Sequence, residues 1–383
     1  MIGVDTLGKD ACTCCHACVA VCRVGCIEIV ADDDGFEYPA IDSSRCMKCN
    51  ECYSVCQKSV PITANNGTTA YAAKAKSNGV RAASSSGGIF SLLASCVLQK
   101  GGCVYGAAIG HNAVVEHVRA ADEETLCRLR GSKYVQSRVG LVYQHVLEDL
   151  ALKRWVLFSG TPCQIGGLRK YLGHKGIDGK KLICQDVICL GVPPYKAWRK
   201  YLDDLNFHGD ITVNFRDKRK GWTKPSLLIS DGKRTYIRRN RYNAYSMAFL
   251  SGIMHRPSCY MCGYRDMRYQ SDITLADFWG IHEVLPDFAD ECGVSLIMSH
   301  TRKGEDFFGF IGGEMEAVKV PLEKALHGNK RAATGMEPHP DRDAFLFEIR
   351  TGRFSKAVVK YVKGGWLKWI ANAGRRILRN SRN

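Results

Sequence analysis

The sequence has no apolar stretch long enough to cross a membrane. Its longest apolar run, about Gly87 to Leu98, falls well short of the roughly 18–20 residues that a spanning helix needs. Residues Met1 to Ala11 contain neither an apolar core nor a small-residue cleavage site, so no secretory signal is expected and a reducing, cytoplasmic compartment is. Acidic residues are scarce: 38 Asp and Glu stand against 54 Lys and Arg, a formal net charge of +16. From Arg350 to Asn383 there are ten basic residues and no acid. These basic residues lack the interleaved aromatics that stack on single-stranded bases, so nucleic acid is not an expected partner. The charge predicts instead a surface that attracts an anionic membrane, a polyanion or an acidic protein.

What the sequence has in excess is cysteine. There are 19 in 383 residues, ten of them between Cys12 and Cys56. Apolar content of 45% and charged content of 24% are ordinary, and the length predicts two or three domains. In a reducing compartment, clustered cysteines bind metal or act in catalysis more often than they form disulfides.

One internal repeat organises them. Cys12, Cys15, Cys18 and Cys22 recur as Cys46, Cys49, Cys52 and Cys56, each shifted by 34 residues. The spacing C-x2-C-x2-C-x3-C is that of bacterial ferredoxins, in which three thiolates wrap one 4Fe-4S cluster and the fourth crosses to its neighbour. Structural zinc uses separated C-x2-4-C pairs rather than three cysteines at successive two-residue gaps. The expected ligand sets are therefore Cys12, Cys15, Cys18 and Cys56 for one cluster, and Cys46, Cys49, Cys52 and Cys22 for the other. The residue after each fourth cysteine is Arg23 or Gln57 rather than proline, which predicts an altered loop exit. Cys14 and Cys26 fall outside the pattern and read as packing residues. Ile27–Val30 and Phe36–Ala40 read as a hairpin about Asp32-Asp33-Asp34-Gly35. This module spans 1–62, and the polar stretch 63–80 reads as a linker.

Beyond it, strands alternate with helices. Helices are expected at 88–99, 122–130, 141–152, 164–171 and 195–205, and strands at 103–109, 114–119, 155–159 and 182–188. Further strands are expected at 211–215, 226–229, 235–238, 272–275 and 294–299. The alternation predicts an α/β body, and with the small module a mixed α/β and α+β protein. Three stretches stand out within it. Ser84-Ser85-Ser86-Gly87-Gly88 precedes a helix, where small residues and free amides suit a phosphate, although a serine N-cap needs no ligand. Arg130-Gly131-Ser132-Lys133-Tyr134 sets two cations at a turn. Gly160-Thr161-Pro162-Cys163-Gln164 is a sharp strand-to-helix turn carrying a cysteine. Cys163, Cys189 and the pair Cys259 and Cys262 supply four thiols, the number that a third cubane needs; zinc and plain core cysteines stay open on spacing alone.

Taken together, several stretches resemble the family of coenzyme F420 hydrogenase/dehydrogenase beta subunits, in the form with a fused N-terminal ferredoxin. They are Ser84–Phe90, Leu129–Ser137, Ser159–Ile165, Phe215–Lys218, Arg256–Cys262 and Ser271–Gly280. The resemblance implies a domain over 81–165 like the N-terminal part of those beta subunits, and one over 166–345 like their C-terminal part. It also implies a flavin-binding body with FAD beside a third 4Fe-4S cluster on Cys163, Cys189, Cys259 and Cys262. Ser84–Gly88 and Arg130–Tyr134 are implied as FAD contacts. Where the resemblance leads one to expect Cys-His-Gly, this chain has Cys189-Leu190-Gly191, and Ala276 replaces a glycine before Asp277.

The expected activity is an oxidoreductase that passes electrons between iron-sulfur clusters and a flavin. The flavin exchanges hydride with a small molecule, either a coenzyme F420-like deazaflavin or another unsaturated substrate, with a link to surface-polysaccharide metabolism. Lys133, Tyr134 and Asp277 are the candidate proton donors. A redox partner protein or ferredoxin supplies or takes the electrons. The alternative is a non-catalytic electron relay that serves a partner enzyme. Over the basic tail, 346–383, Trp366, Ile370, Ala373 and Ile377 recur at helical spacing. That pattern predicts an amphipathic helix, either lying on the inner face of the membrane or docked on the body.

Overall fold

The computed structural model describes residues 4–59, 62 and 67–363. The cysteine-rich segment folds about an antiparallel hairpin, β1 (Ile27–Ala31) and β2 (Glu37–Ile41), with Ile27 opposite Ile41. Its turn closes because the Asp32 carboxylate accepts from the amides of Asp34 and Phe36 at 3.1 and 2.9 Å. Two short helices, α1 (Ala17–Val21) and α2 (Glu51–Ser54), follow the two cysteine triplets. The repeat extends to the backbone. Cys14 and His16 in one copy and Lys48 and Asn50 in the other all adopt left-handed φ, between 53° and 66°. Each such residue costs about 1 kcal/mol, and they gather where a loop must wrap something.

The body is built on one eight-stranded mixed sheet. Strands β3 (Thr69–Ala75), β4 (Cys103–Ile109), β5 (Val115–Ala120), β6 (Val156–Gly160) and β7 (Leu182–Val187) come first. A separate antiparallel sheet of β8 (Thr212–Asp217), β9 (Ser226–Ser230) and β10 (Thr235–Arg239) follows. Then β11 (Ile273–Asp277), β12 (Ser295–Ser299) and β13 (Met315–Val320) return to the first sheet. Its spatial order is β13-β3-β12-β11-β7-β6-β4-β5, with β4, β6, β7 and β11 parallel at the centre.

Between these strands run α3 (Asn78–Ala82), α4 (Ile89–Gln99), α5 (Glu123–Leu129), α6 (Val142–Ala151), α7 (Pro162–His174) and α8 (Tyr195–Asp204). The pleat sends alternate side chains to opposite faces. Val104, Leu157 and Ile183 meet Leu93 and Val97 of α4 on one face. Tyr105, Phe158 and Cys184 meet Tyr143 of α6 and Ile165 and Leu168 of α7 on the other. Ala17, Ala20, Val21 and Val55 join that second cluster, so the cysteine module sits on the α6–α7 face.

The mixed α/β architecture is as expected, and the hairpin and the helix–strand alternation from 88 to 205 lie within a residue or two of their expected places. The stretch read as a linker, 63–80, is different: residues 69–75 form β3, between β12 and β13. Four of its seven residues are alanine, which carries little β-propensity; burial at the sheet centre decides its conformation. Strands from 81–165 and from 166–345 are hydrogen-bonded neighbours in this one sheet. The tail residues Trp366, Ile370, Ala373 and Ile377 lie outside the described residues. No helix among the described residues is long and apolar enough to cross a membrane.

Beneath α6, Asp149 accepts from Tyr105 Oη, Arg119 Nε and Arg154 Nη1 at 2.5, 2.7 and 2.8 Å. Burial alone would push its carboxyl up, but these donors overcome burial and hold it below the usual carboxylate range. A depressed carboxyl contributes stability above its unfolded value that is lost as the pH falls. Asp149→Asn should therefore lower unfolding stability by about 2 kcal/mol at neutral pH, with the deficit shrinking below the ordinary aspartate value of about 3.9. Urea unfolding at both pH values checks this; superimposable curves at neutral pH would contradict it.

Candidate functional site

The N-terminal thiols form two groups, and the fourth cysteine of each copy crosses to the other. Cys18 lies within electrostatic reach of Cys15, Cys12, Cys14 and Cys56, and Cys56 of Cys15 and Cys12. A cavity between them is lined by Cys12, Cys15, Cys18 and Cys56 together with His16 and Gln57. On the other side, Cys26 Sγ stands 3.5 Å from Cys22 Sγ and also bonds Cys46, while Cys52 senses Cys49 and Cys46. Cys26 is thus a fifth thiol at the second group. Burial pushes the Cys56 thiol up to about 11 and Cys26 up to about 12. Thiolates in such places are stabilised by a bound cation.

Cys14, His16 and Glu37 also bring donor atoms within 4.8 Å of one another. Two bonds argue against a metal there. Glu37 holds Arg138, and His16 Nδ1 accepts the Gly140 amide at 3.0 Å, so the ring proton sits on Nε2 and no lone pair faces outward.

The four body cysteines converge as well. Cys163 is the second residue of α7, just beyond the carboxyl end of β6. Cys189 follows the carboxyl end of β7, and Cys259 lies in the short helix Pro257–Tyr260 with Cys262 just after it. Cys189 senses Cys259, Cys163 and Cys262 at once. Burial pushes Cys163 up to about 12 and Cys259 up to about 11. Asp277 ends β11, so these groups share the carboxyl edge of the parallel strands, the usual binding edge of an α/β sheet.

The first N-terminal group and the body group touch through named residues. Gln57 Nε2 donates to Thr13 Oγ1 at 2.7 Å and to the Cys163 carbonyl at 3.1 Å. Its Oε1 accepts from the buried Tyr264 hydroxyl. Tyr264 in turn senses Cys163, Cys15, Cys262 and Cys56. Side chains are excluded along α7 at this point. A Cβ on Gly166 would lie 1.8 Å from Tyr264 Oη, and one on Gly167 2.8 Å from Cys15 Sγ. Gln57 is the residue that replaces proline after Cys56; that departure is the sequence signal for a junction, but spacing does not reveal the partners across it.

The two glycine-containing loops also meet. The Ser132 amide donates to Ser85 Oγ at 2.9 Å, and Arg130 Nε to Ser91 Oγ at 3.2 Å. Yet Ser84 Oγ donates to the Val80 carbonyl and Ser86 Oγ to the Val294 carbonyl, while Gly87 is walled in by Ala73 and Ser295. Lys133 donates to the carbonyls of Arg128, Leu129 and Arg130, closing the end of α5. Burial pulls its ammonium down to about 7.

Tyr134 stacks on Phe249 at 4.7 Å and its phenol lies beside Arg216. Arg216 pairs with Asp277 at 3.0 Å, and Trp222 Nε1 donates to Asp277 at 2.7 Å. Trp222 stacks on Trp279 at 5.2 Å, and Arg216 lies 5.3 Å over the Trp279 ring. Arg216 Nε is buried and has no hydrogen-bond partner. Sequence reasoning misses Arg216, Trp222 and Trp279 as site residues, although two of them lie in the stretches that carry the resemblance. At the position of the expected histidine, Leu190 packs into the core, and a different imidazole, the fully buried His255, lies against Gly191.

These features define an α/β protein with three convergent thiol groups on one face. Residues 153–320 belong to the coenzyme F420 hydrogenase/dehydrogenase family, matching the C terminus of its beta subunit. The chain is 23% identical over 340 residues to one of the subunits of the F(420)H(2) dehydrogenase of Methanosarcina mazei, covering 83% of this chain and 87% of that protein. A solved structure, the xenon derivatization of the F420-reducing [NiFe] hydrogenase complex from Methanosarcina barkeri, matches 80% of this chain and 93% of its own. The identity is 16% and the TM-score 0.47.

Alanine is the better helix former by up to about 1 kcal/mol, so Gly173→Ala in α7, where a Cβ meets nothing within 4 Å, should be neutral or stabilising. Gly166→Ala and Gly167→Ala should destabilise instead, because each places a methyl on Tyr264 or Cys15. Thermal unfolding of the three variants checks the order; equal melting temperatures would contradict the close approach.

Proposed function

We propose that this chain is an iron-sulfur flavoprotein oxidoreductase. In this reading Cys12, Cys15, Cys18 and Cys56 hold one 4Fe-4S cluster, Cys46, Cys49, Cys52 and Cys22 a second, and Cys163, Cys189, Cys259 and Cys262 a third. The observation that carries it is the convergence of twelve cysteines into three groups, two of which abut through Gln57, Tyr264 and Gly167. Kinship with hydrogenase and dehydrogenase subunits supports an electron-transfer role and a protein partner.

The donor sets fit the metal: four thiols per group, left-handed loops that curl about them, and a buried setting that excludes water. For FAD the fit lies at Arg216, whose buried Nε lacks a partner, and at Trp279, rather than at Ser84–Gly88, whose hydroxyls bond within the protein. When bound, the clusters supply one-electron transfer and the flavin hydride transfer, so the pair converts between the two.

The chain's own residues set the conditions. Gln57 fixes the Cys56 loop against the Cys163 backbone. Tyr264 fills the space between the groups with a hydroxyl whose proton burial retains. Arg216, held by Asp277, presents a fixed positive charge toward an anionic ring edge, and Trp279 flanks it. Lys133 is engaged as the cap of α5 and therefore serves position rather than proton transfer. The hydride partner is an unsaturated small molecule of the deazaflavin class, and the electron partner a small one-electron protein.

After anaerobic reconstitution the protein should carry about twelve iron atoms per chain, four per cluster, with near-equimolar FAD. Arg216→Ala should retain the iron but hold flavin about tenfold more weakly, the effect of losing one charged hydrogen bond. Iron assay and flavin fluorescence after gel filtration check both. A fully iron-loaded protein that binds no flavin would leave only the electron-relay reading.

A further inference from the structure

On the cysteine-bearing face of the sheet, a row of polar side chains lies outside the groups described above. Asp186 of β7 is fully buried, at 0% exposure. Its Oδ1 accepts from the hydroxyl of Thr274, its register neighbour on β11. Its Oδ2 has no protein partner. Thr274 Oγ1 lies 2.8 Å from His300 Nε2, and His300 Nδ1 lies 3.0 Å from Thr68 Oγ1. Tyr269 stacks on the imidazole with centroids 4.7 Å apart, which fixes the ring plane. Thr68 is half-buried, so the row has a wet end and a dry end.

The hydrogen bonds in this row have one direction. Thr274 has a single hydroxyl proton and donates it to Asp186, so its oxygen is left to accept. His300 then carries its proton on Nε2 and accepts on Nδ1 from Thr68. Every donor points toward the ionised carboxylate. Burial lowers His300 to about 4, so the ring stays neutral with one donor and one acceptor, as a relay needs. Burial raises Asp186 to about 7.

The other groups facing Asp186 are few. Arg169 of α7 approaches it, but pairs with Asp272 at 3.0 Å, which Lys303 also approaches at 3.5 Å. Ser271 and Tyr269 are neutral, and Cys184 shares its face of β7. The Tyr269 phenol lies within reach of Asp186, Cys262 and Cys189 together, which ties the dry end of the row to the body thiols.

We propose that Thr68, His300, Thr274 and Asp186 form a proton relay that balances the charge of an electron arriving at the site of Cys163, Cys189, Cys259 and Cys262. The relay rests on the iron-sulfur reading of that site. The electron comes from the one-electron protein donor and adds one negative charge to a buried place. An O–H bond forms at Asp186 Oδ1 as the Thr274 O–H bond breaks. Thr274 regains a proton from His300 Nε2, His300 gains one at Nδ1 from Thr68, and Thr68 is replenished from bulk solvent. One electron and one proton enter together, and both leave on reoxidation.

The test is an anaerobic redox titration of the full-length holoprotein, followed by electron paramagnetic resonance either side of the Asp186 value of about 7. In the wild type, the midpoint potential of the body site should fall as the pH rises through this window. Asp186→Asn keeps the side-chain volume but removes the titration, and should abolish the dependence. Thr274→Val should slow reduction of that site and remove its solvent deuterium isotope effect, and Thr274→Ser should restore both. Equal pH dependence in the wild type and Asp186→Asn, with about twelve irons bound, overturns the relay alone. About eight irons per chain, the content of two clusters, overturns the body cluster and the relay with it.

Discussion

Helix α7 sets how near the two halves of the protein can come. Its first turn holds Cys163, and one turn later Gly166 and Gly167 let Tyr264 and Cys15 rest against bare backbone. Two adjacent glycines inside a helix weaken it by up to about 1 kcal/mol each relative to alanine. The structure accepts this because no side chain fits there. Gln57 then locks the approach with two donated bonds and one accepted bond. Apolar contact of Ala17, Ala20 and Val55 with Tyr143 and Ile165 stabilises the same interface over a wider area.

Much of this was legible in the sequence, for physical reasons. The cysteine repeat is a local pattern, and local patterns survive into the fold: the same 34-residue shift that relates the thiols also relates the left-handed residues. The parallel strands of the body are buried on both faces and read as short apolar runs such as Val156–Phe158. β3 was not legible, because an alanine-rich strand is defined by the neighbours that bury it rather than by its own propensity. Nor were the partners of Gln57, Arg216 and Asp186. Each acts across a long sequence separation, from 88 residues for Asp186 and Thr274 to 207 for Gln57 and Tyr264, and only the sheet order brings them together.

The loop residues illustrate a second limit. Small residues before a helix suggest a phosphate grip, but here the serine hydroxyls close the loop on itself and Lys133 caps a helix. Residue type named the candidates; only hydrogen-bond partners separate a side chain free to hold a ligand from one already engaged. By that measure Arg216 and Asp186 carry unsatisfied buried atoms, one at the carboxyl edge of the sheet and one on β7. The account thus places electrons, hydride and protons on separate side-chain sets around the same parallel strands.

The central claim is that the first N-terminal thiol group and the body thiol group hold clusters close enough to form one conducting path. Electron paramagnetic resonance of the fully reduced protein tests it most directly. The account predicts about three spins per chain, with the N-terminal and body signals broadened by mutual coupling, and a simpler, narrower spectrum of about two spins in Cys163→Ser. An unbroadened spectrum of about two spins that Cys163→Ser leaves unchanged would contradict it.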